Sequence, residues 1–133
     1  MKMKVLILLI SFTLLYSACS VTDVKNCFCT TEFRTYTVTV IDSSGTPVDS
    51  IVTTVKNSRG KIFTTYQFHK EPGTYWLMDD GYIQEFTIRP NTIIFKGTKD
   101  SLTVEAAFLF NTGDCKCHVN KVAGPDTLVI ENN

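Results

Sequence analysis

Residues 38–61 read VTVIDSSGTPVDSIVTTVKNSRGK, two runs of β-branched residues each closed by a cluster of turn formers. In the wider run RTYTVTVI (34–41), Thr37 and Thr39 alternate with Val38 and Val40, the period of a half-buried strand. DSSGTP (42–47) stops that run, and NSRG (57–60) stops the next, SIVTTVK (50–56). The same grammar continues through KIFTTYQF (61–68) and HKEPG (69–73), then TYWLM (74–78) and DDG (79–81). After these come YIQEFTI (82–88), NTIIFKG (91–97), SLTVEAAFLF (101–110), CHVNKV (117–122) and DTLVIEN (126–132). Turns recurring at about 8–12 positions are the spacing of a sandwich or barrel. Leu102, Glu105 and Ala106 stand at helical spacing, but Thr103 and Val104 favour a strand. The expectation is therefore all-β, with roughly seven to eight short antiparallel strands in two sheets packed face to face around Trp76 and the phenylalanines.

The chain has 133 residues, 44% hydrophobic and 20% charged, within the range of one globular domain. Its first 20 residues, MKMKVLILLISFTLLYSACS, differ in character from the rest: Lys2 and Lys4 precede an apolar run, Val5 to Tyr16, and small residues lead to Cys19. That is the layout of an export signal. The run is 12 residues long and contains Ser11 and Thr13, whereas a membrane span needs about 20 apolar residues. LYSAC (15–19) resembles the lipobox of bacterial lipoprotein signals, with Tyr16 where leucine is usual. The resemblance implies a signal peptide over 1–18, a lipid on Cys19, a tether with the first C-x-C over 19–33, and a domain over 34–133. The partner it implies is the lipid bilayer. Ser20, with no acidic cluster behind it, points to an outer membrane with the domain facing the periplasm.

Cleavage after Ala18 leaves 115 residues with 11 basic and 13 acidic side chains, a net charge of −2. No basic stripe survives that could neutralise a phosphate backbone, so nucleic acid is not an expected partner.

Apart from Cys19 the cysteines are Cys27, Cys29, Cys115 and Cys117, two C-x-C pairs. An exported chain meets oxidising conditions, where even numbers of cysteines become disulfides. Alternate residues of a strand lie about 6.6–7 Å apart, at or beyond the disulfide range, so bonds between the pairs are expected rather than within them. Antiparallel neighbours would join Cys27 to Cys117 and Cys29 to Cys115; the other pairing stays open. The alternative is a metal held by these four thiolates, with His118 as a substitute ligand, although structural zinc favours C-x₂₋₄-C. Redox catalysis usually uses C-x-x-C, and haem attachment C-x-x-C-H.

VTVIDSSGTPVDSIVTTVKNSRGK together with EPGTYWLMDDGY (71–82) resembles the carboxypeptidase regulatory-like and transthyretin-like (prealbumin-like) domains, over roughly residues 36–131. Gly45 and Pro47 turn the chain, Val48 begins the return, and Pro72 with Gly73 turns it again before Tyr75 enters the core. The ending DCKCHVNKVAGPD (114–126) looks like the close of small bacterial lipoproteins with this domain. The family resemblance implies a non-catalytic accessory domain. The hydroxyisourate hydrolase of similar architecture ends in Y-R-G-S, whereas this chain ends in LVIENN.

Other chemistry is sparse. The histidines are His69 and His118, and no G-x-S-x-G elbow accompanies them. Asp79 and Asp80 lack the D-x-D-x-D-G pattern of a calcium loop and read as carboxylates entering a turn. DSI at Asp49, DSL at Asp100 and DTL at Asp126 fit the D-[ST]-aliphatic pattern of a bacterial periplasmic O-glycosylation system, and equally an Asp turn opening a strand. The reading is a membrane-anchored exported lipoprotein with a binding or structural β-sandwich, neither enzyme nor cofactor carrier. A protein or glycan partner is not identifiable from sequence. The alternative is a periplasmic metal-binding protein using the C-x-C pairs and His118.

Overall fold

A computed structural model describes residues 26–64 and 71–131. The leader, Cys19 and His69 lie outside the described residues. Val38 and Val40 of β1 (Thr35–Ile41) are buried while Thr35 and Thr37 face out, as the alternation requires. The remaining strands are β2 (Val52–Asn57), β3 (Ile62–Phe63), β4 (Thr74–Asp79), β5 (Asn91–Lys99), β6 (Leu102–Asn111), β7 (Asn120–Ala123) and β8 (Thr127–Val129). They form a three-stranded sheet, β4-β1-β8, and a five-stranded sheet, β3-β2-β5-β6-β7. One contiguous core takes Val38, Val40, Leu77 and Met78 from the first and Val55, Phe95, Phe108 and Phe110 from the second. SLTVEAAFLF is a strand, with Val104, Phe108 and Phe110 inward at period two, paired with β5 along its length.

The two turns that punctuate the opening stretch are one device used twice. Asp42 Oδ1 accepts from Ser44 N–H (2.9 Å), Ser44 Oγ (2.6 Å) and Thr46 N–H (2.9 Å), while Gly45 takes φ +84°. Asn57 Oδ1 accepts from Arg59 N–H (3.0 Å) and Lys61 N–H (2.9 Å), while Gly60 takes φ +85°. A short acceptor side chain at the first position closes the loop and a glycine at the fourth admits the left-handed backbone.

The separated pieces of the motif meet at one end of the domain. Tyr75 Oη donates to the Val48 carbonyl (2.6 Å) and accepts from Ile51 N–H (3.2 Å). Gly73 N–H donates to Asp49 Oδ1 (2.7 Å). Gly73 has φ +70°, and a Cβ there would lie 2.8 Å from both Pro47 Cβ and the Val40 carbonyl oxygen, so only glycine fits. D-x-x-G-x-P-V and G-x-Y are thus two halves of one hydrogen-bonded corner.

Two expectations are corrected. YIQEFTI is not a strand: Asp80–Glu85 is a 3₁₀ helix, started by Asp79 Oδ1 accepting from Gly81 N–H (2.8 Å), and Phe86 then turns into the core. The sheets are also not wholly antiparallel, because β1 and β8 pair in parallel. Gly124, Pro125 and Asp126 separate β7 from β8, and across them the chain leaves the five-stranded sheet for the three-stranded one, where β8 lies parallel to β1. Of KIFTTYQF, the strand covers Ile62–Phe63, and residues 65–70 lie outside the described residues.

Candidate functional site: a stapled pole around Asp80 and His118

The segment before β1, residues 26–34, carries the first C-x-C pair, and the loop between β6 and β7 carries the second. Disulfides join Cys27 to Cys115 (Cα–Cα 5.5 Å) and Cys29 to Cys117 (Cα–Cα 5.2 Å). Bonds run between the pairs, and in the order opposite to that of antiparallel neighbours. The reason is direction. The strap runs alongside the 115–118 segment in parallel, so each residue meets the one 88 positions on. The next step of that register is Thr30 with His118, Oγ1 to Nε2 at 2.9 Å.

His118 is 8% exposed and its other nitrogen, Nδ1, lies 2.7 Å from Asp80 Oδ2. Asp80 holds three segments at once. Its Oδ2 also accepts from Arg34 N–H (2.9 Å), and its Oδ1 from Val119 N–H (2.7 Å). The backbone returns the contact, Asp80 N–H donating to the Arg34 carbonyl (3.0 Å). Tyr36 Oη to the Val119 carbonyl (3.0 Å) and Arg34 Nη1 to Asn120 Oδ1 (2.6 Å) extend the seam. Asp79, by contrast, serves the turn it enters, as the sequence suggested, and accepts from Trp76 Nε1 (2.9 Å).

Burial raises the Asp80 carboxyl pKa, but the Arg34 N–H, the His118 ring and the Val119 N–H outweigh it and hold the group below the ordinary carboxylate value. A carboxyl depressed in the folded state contributes stability in full above its unfolded pKa, and that contribution is lost as pH falls through the folded one. Unfolding midpoints should therefore decline below about pH 4, and Asp80→Asn should flatten that limb. An identical acid limb in both proteins would show that other carboxylates carry it.

Thr30, His118 and Asp80 have the hydroxyl–imidazole–carboxylate connectivity of an acyl-transfer triad. Such chemistry also needs donors aimed at an oxyanion. The Arg34 and Val119 N–H groups beside the site are both spent on Asp80. The arrangement is chemically a clamp: Nδ1–H donates to the carboxylate, and the Thr30 hydroxyl rotates to suit whichever state Nε2 is in. The four thiolates of the metal alternative are drawn into disulfides in this structure, and both His118 nitrogens are engaged, by Thr30 and Asp80. Among the described residues no group of His, Cys, Asp and Glu is placed to hold a metal ion.

The opposite pole carries an open cleft of about 520 Å³ between the β1 turn, the β5–β6 turn and the end of β8, lined among others by Asp42, Asp49, Lys99, Asp100, Leu102 and Ile130. The Ser44 hydroxyl and then the Thr46 N–H hold the Asp42 carboxyl below its ordinary value. Ser50, Ser101 and Thr127 of the three D-[ST]-aliphatic triplets are exposed, and Ile51 and Leu128 after two of them are buried, as an Asp turn opening a strand demands. No protein-family model, no curated protein and no solved structure matches this chain.

Asp80 is the residue that sequence reasoning missed. Its sequence context is that of a turn carboxylate, whereas its partners lie 46, 38 and 39 residues away.

Proposed function

We propose that the protein is an exported lipoprotein, anchored through acylated Cys19, whose transthyretin-like β-sandwich is a non-catalytic binding or structural module. The observation that carries the reading is the pair of disulfides between the strap, eight residues beyond Cys19, and the β6–β7 loop. Such bonds persist in an oxidising compartment, where the leader of residues 1–18 would deliver the chain. The kinship with carboxypeptidase regulatory-like domains is supported by the closure of D-x-x-G-x-P-V upon G-x-Y around Tyr75. Anchored at the stapled pole, the domain would present the opposite pole, about 20 Å away along the seven residues of β1, with its open cleft. Ser20, with no acidic cluster behind it, supports outer-membrane residence facing the periplasm. In a bacterial host, Cys19→Ala should abolish fatty-acid labelling and leave the leader unprocessed by the lipoprotein peptidase. Labelling that persists in the variant would overturn the anchor.

A further inference from the structure

Seven phenylalanines fall among the described residues, and they divide sharply. Phe63, Phe86, Phe95, Phe108 and Phe110 are each 2% exposed or less. Phe28 is 92% exposed and Phe33 is 64% exposed, and both lie on the strap between Cys19 and β1. Phe28 is also fixed in place. It sits between Cys27 and Cys29, each tied to the β6–β7 loop by a disulfide, so its backbone cannot swing to tuck the ring away. Lys116, between the two partner cysteines, is exposed beside it.

We infer that Phe28, supported by Phe33 and Lys116, is a membrane contact: a rigid aromatic tip that seats in the headgroup and acyl boundary of the bilayer carrying the lipidated Cys19. This inference rests on the lipoprotein reading. Eight residue steps separate Cys19 from Cys27, so the stapled tip lies within about 29 Å of the lipidated residue even with the tether fully drawn out. The acyl chains hold the domain at the surface, and anchoring converts insertion of one ring into an intramolecular event at high effective concentration. A single aromatic, too weak to recruit a free protein, is then enough to set how the domain sits. The lysine ammonium suits anionic headgroups while the ring takes the apolar side of the same boundary. Insertion here orients the long axis of the sandwich, stapled pole inward and cleft outward.

The test uses the full lipidated chain in vesicles of phosphatidylethanolamine and phosphatidylglycerol, with or without bromine on the acyl chains, and Trp76 as the single native tryptophan. Phe28→Trp should add emission that brominated lipid quenches by about half or more, as for a ring at the headgroup and acyl boundary. Ser43→Trp, at the opposite pole, should add emission that brominated lipid leaves unchanged. Equal Phe28→Trp emission in the two vesicle types, with acylation of Cys19 verified by intact mass, would overturn the inference and leave the anchor standing. Emission shielded from aqueous iodide yet untouched by brominated lipid would equally overturn it, in favour of a protein surface covering the tip. A mass showing unmodified Cys19 would remove the anchor and the inference with it.

Discussion

Reducing both disulfides should lower the thermal midpoint of the domain by roughly 15–40 °C. Each bond closes a loop with a sequence separation of 88, for which the chain-entropy model gives about 4–5 kcal/mol. One kcal/mol moves the midpoint of a domain near 100 residues by about 4–8 °C. The two bonds enclose almost the same loop, so their contributions do not add: once one is in place the other constrains little further freedom of the unfolded chain. Removing one bond should therefore cost only a few degrees, and the two single removals should differ. Cys29 and Cys117 directly precede Thr30 and His118, so the paired serine substitution there also loosens the hydroxyl–imidazole contact. Replacing Cys27 and Cys115 leaves that contact backed by the remaining bond. Melting curves with and without reductant, for the parent and both paired variants, give the full comparison. A midpoint indifferent to reductant would mean that the strap contributes nothing to the stability of the sandwich.

Asp80→Ala should be the most damaging single change at the stapled pole, at about 3–5 kcal/mol. The carboxylate accepts from two backbone N–H groups and one imidazole in a half-buried to buried setting, and hydrogen bonds to a charged group contribute about 1.5–3 kcal/mol each. Its removal leaves the Arg34 and Val119 donors without an acceptor, and water must enter to satisfy them. His118→Ala should cost less than half as much, because Asp80 keeps both backbone donors and Thr30 is exposed to solvent. Urea unfolding of the two variants measures the ratio, and amide exchange locates it: Arg34 and Val119 should lose protection in Asp80→Ala and keep it in His118→Ala. Equal costs would make the imidazole, rather than the carboxylate, the centre of the clamp.

The contrast between these residues and the strands shows where local pattern stops being informative. Thr37, Val38, Thr39 and Val40 declare a strand because the period of a pleated chain is two, and burial on one face follows from four consecutive letters. DSSG and NSRG declare turns because the side chain that closes each loop and the glycine that permits it are three positions apart. YIQEFTI failed for a related reason: its letters suit a strand, but Asp79, three residues before it, caps a helical turn that runs on to Glu85, and that competing hydrogen bond decided the backbone.

The path of β8 and the pairing of the cysteines were beyond such reasoning. Period-two alternation reads the same in either direction, so Leu128 and Ile130 marked a strand with a buried face and left open whether β1 would meet it parallel or antiparallel. Parity and strand spacing directed the four cysteines to bond across the domain, but the order of the bonds depends on the direction in which the strap passes the 115–118 segment. Asp80 was the least legible, since its two backbone donors and its imidazole come from segments 38 to 46 residues away along the chain. What lay within reach of a few bonds along the chain, strand, turn and cysteine parity, is a property of the sequence. Direction, register and the identity of the clamp are set by which edges and loops the packed core brings together, because hydrogen bonds and disulfides select partners by distance in space.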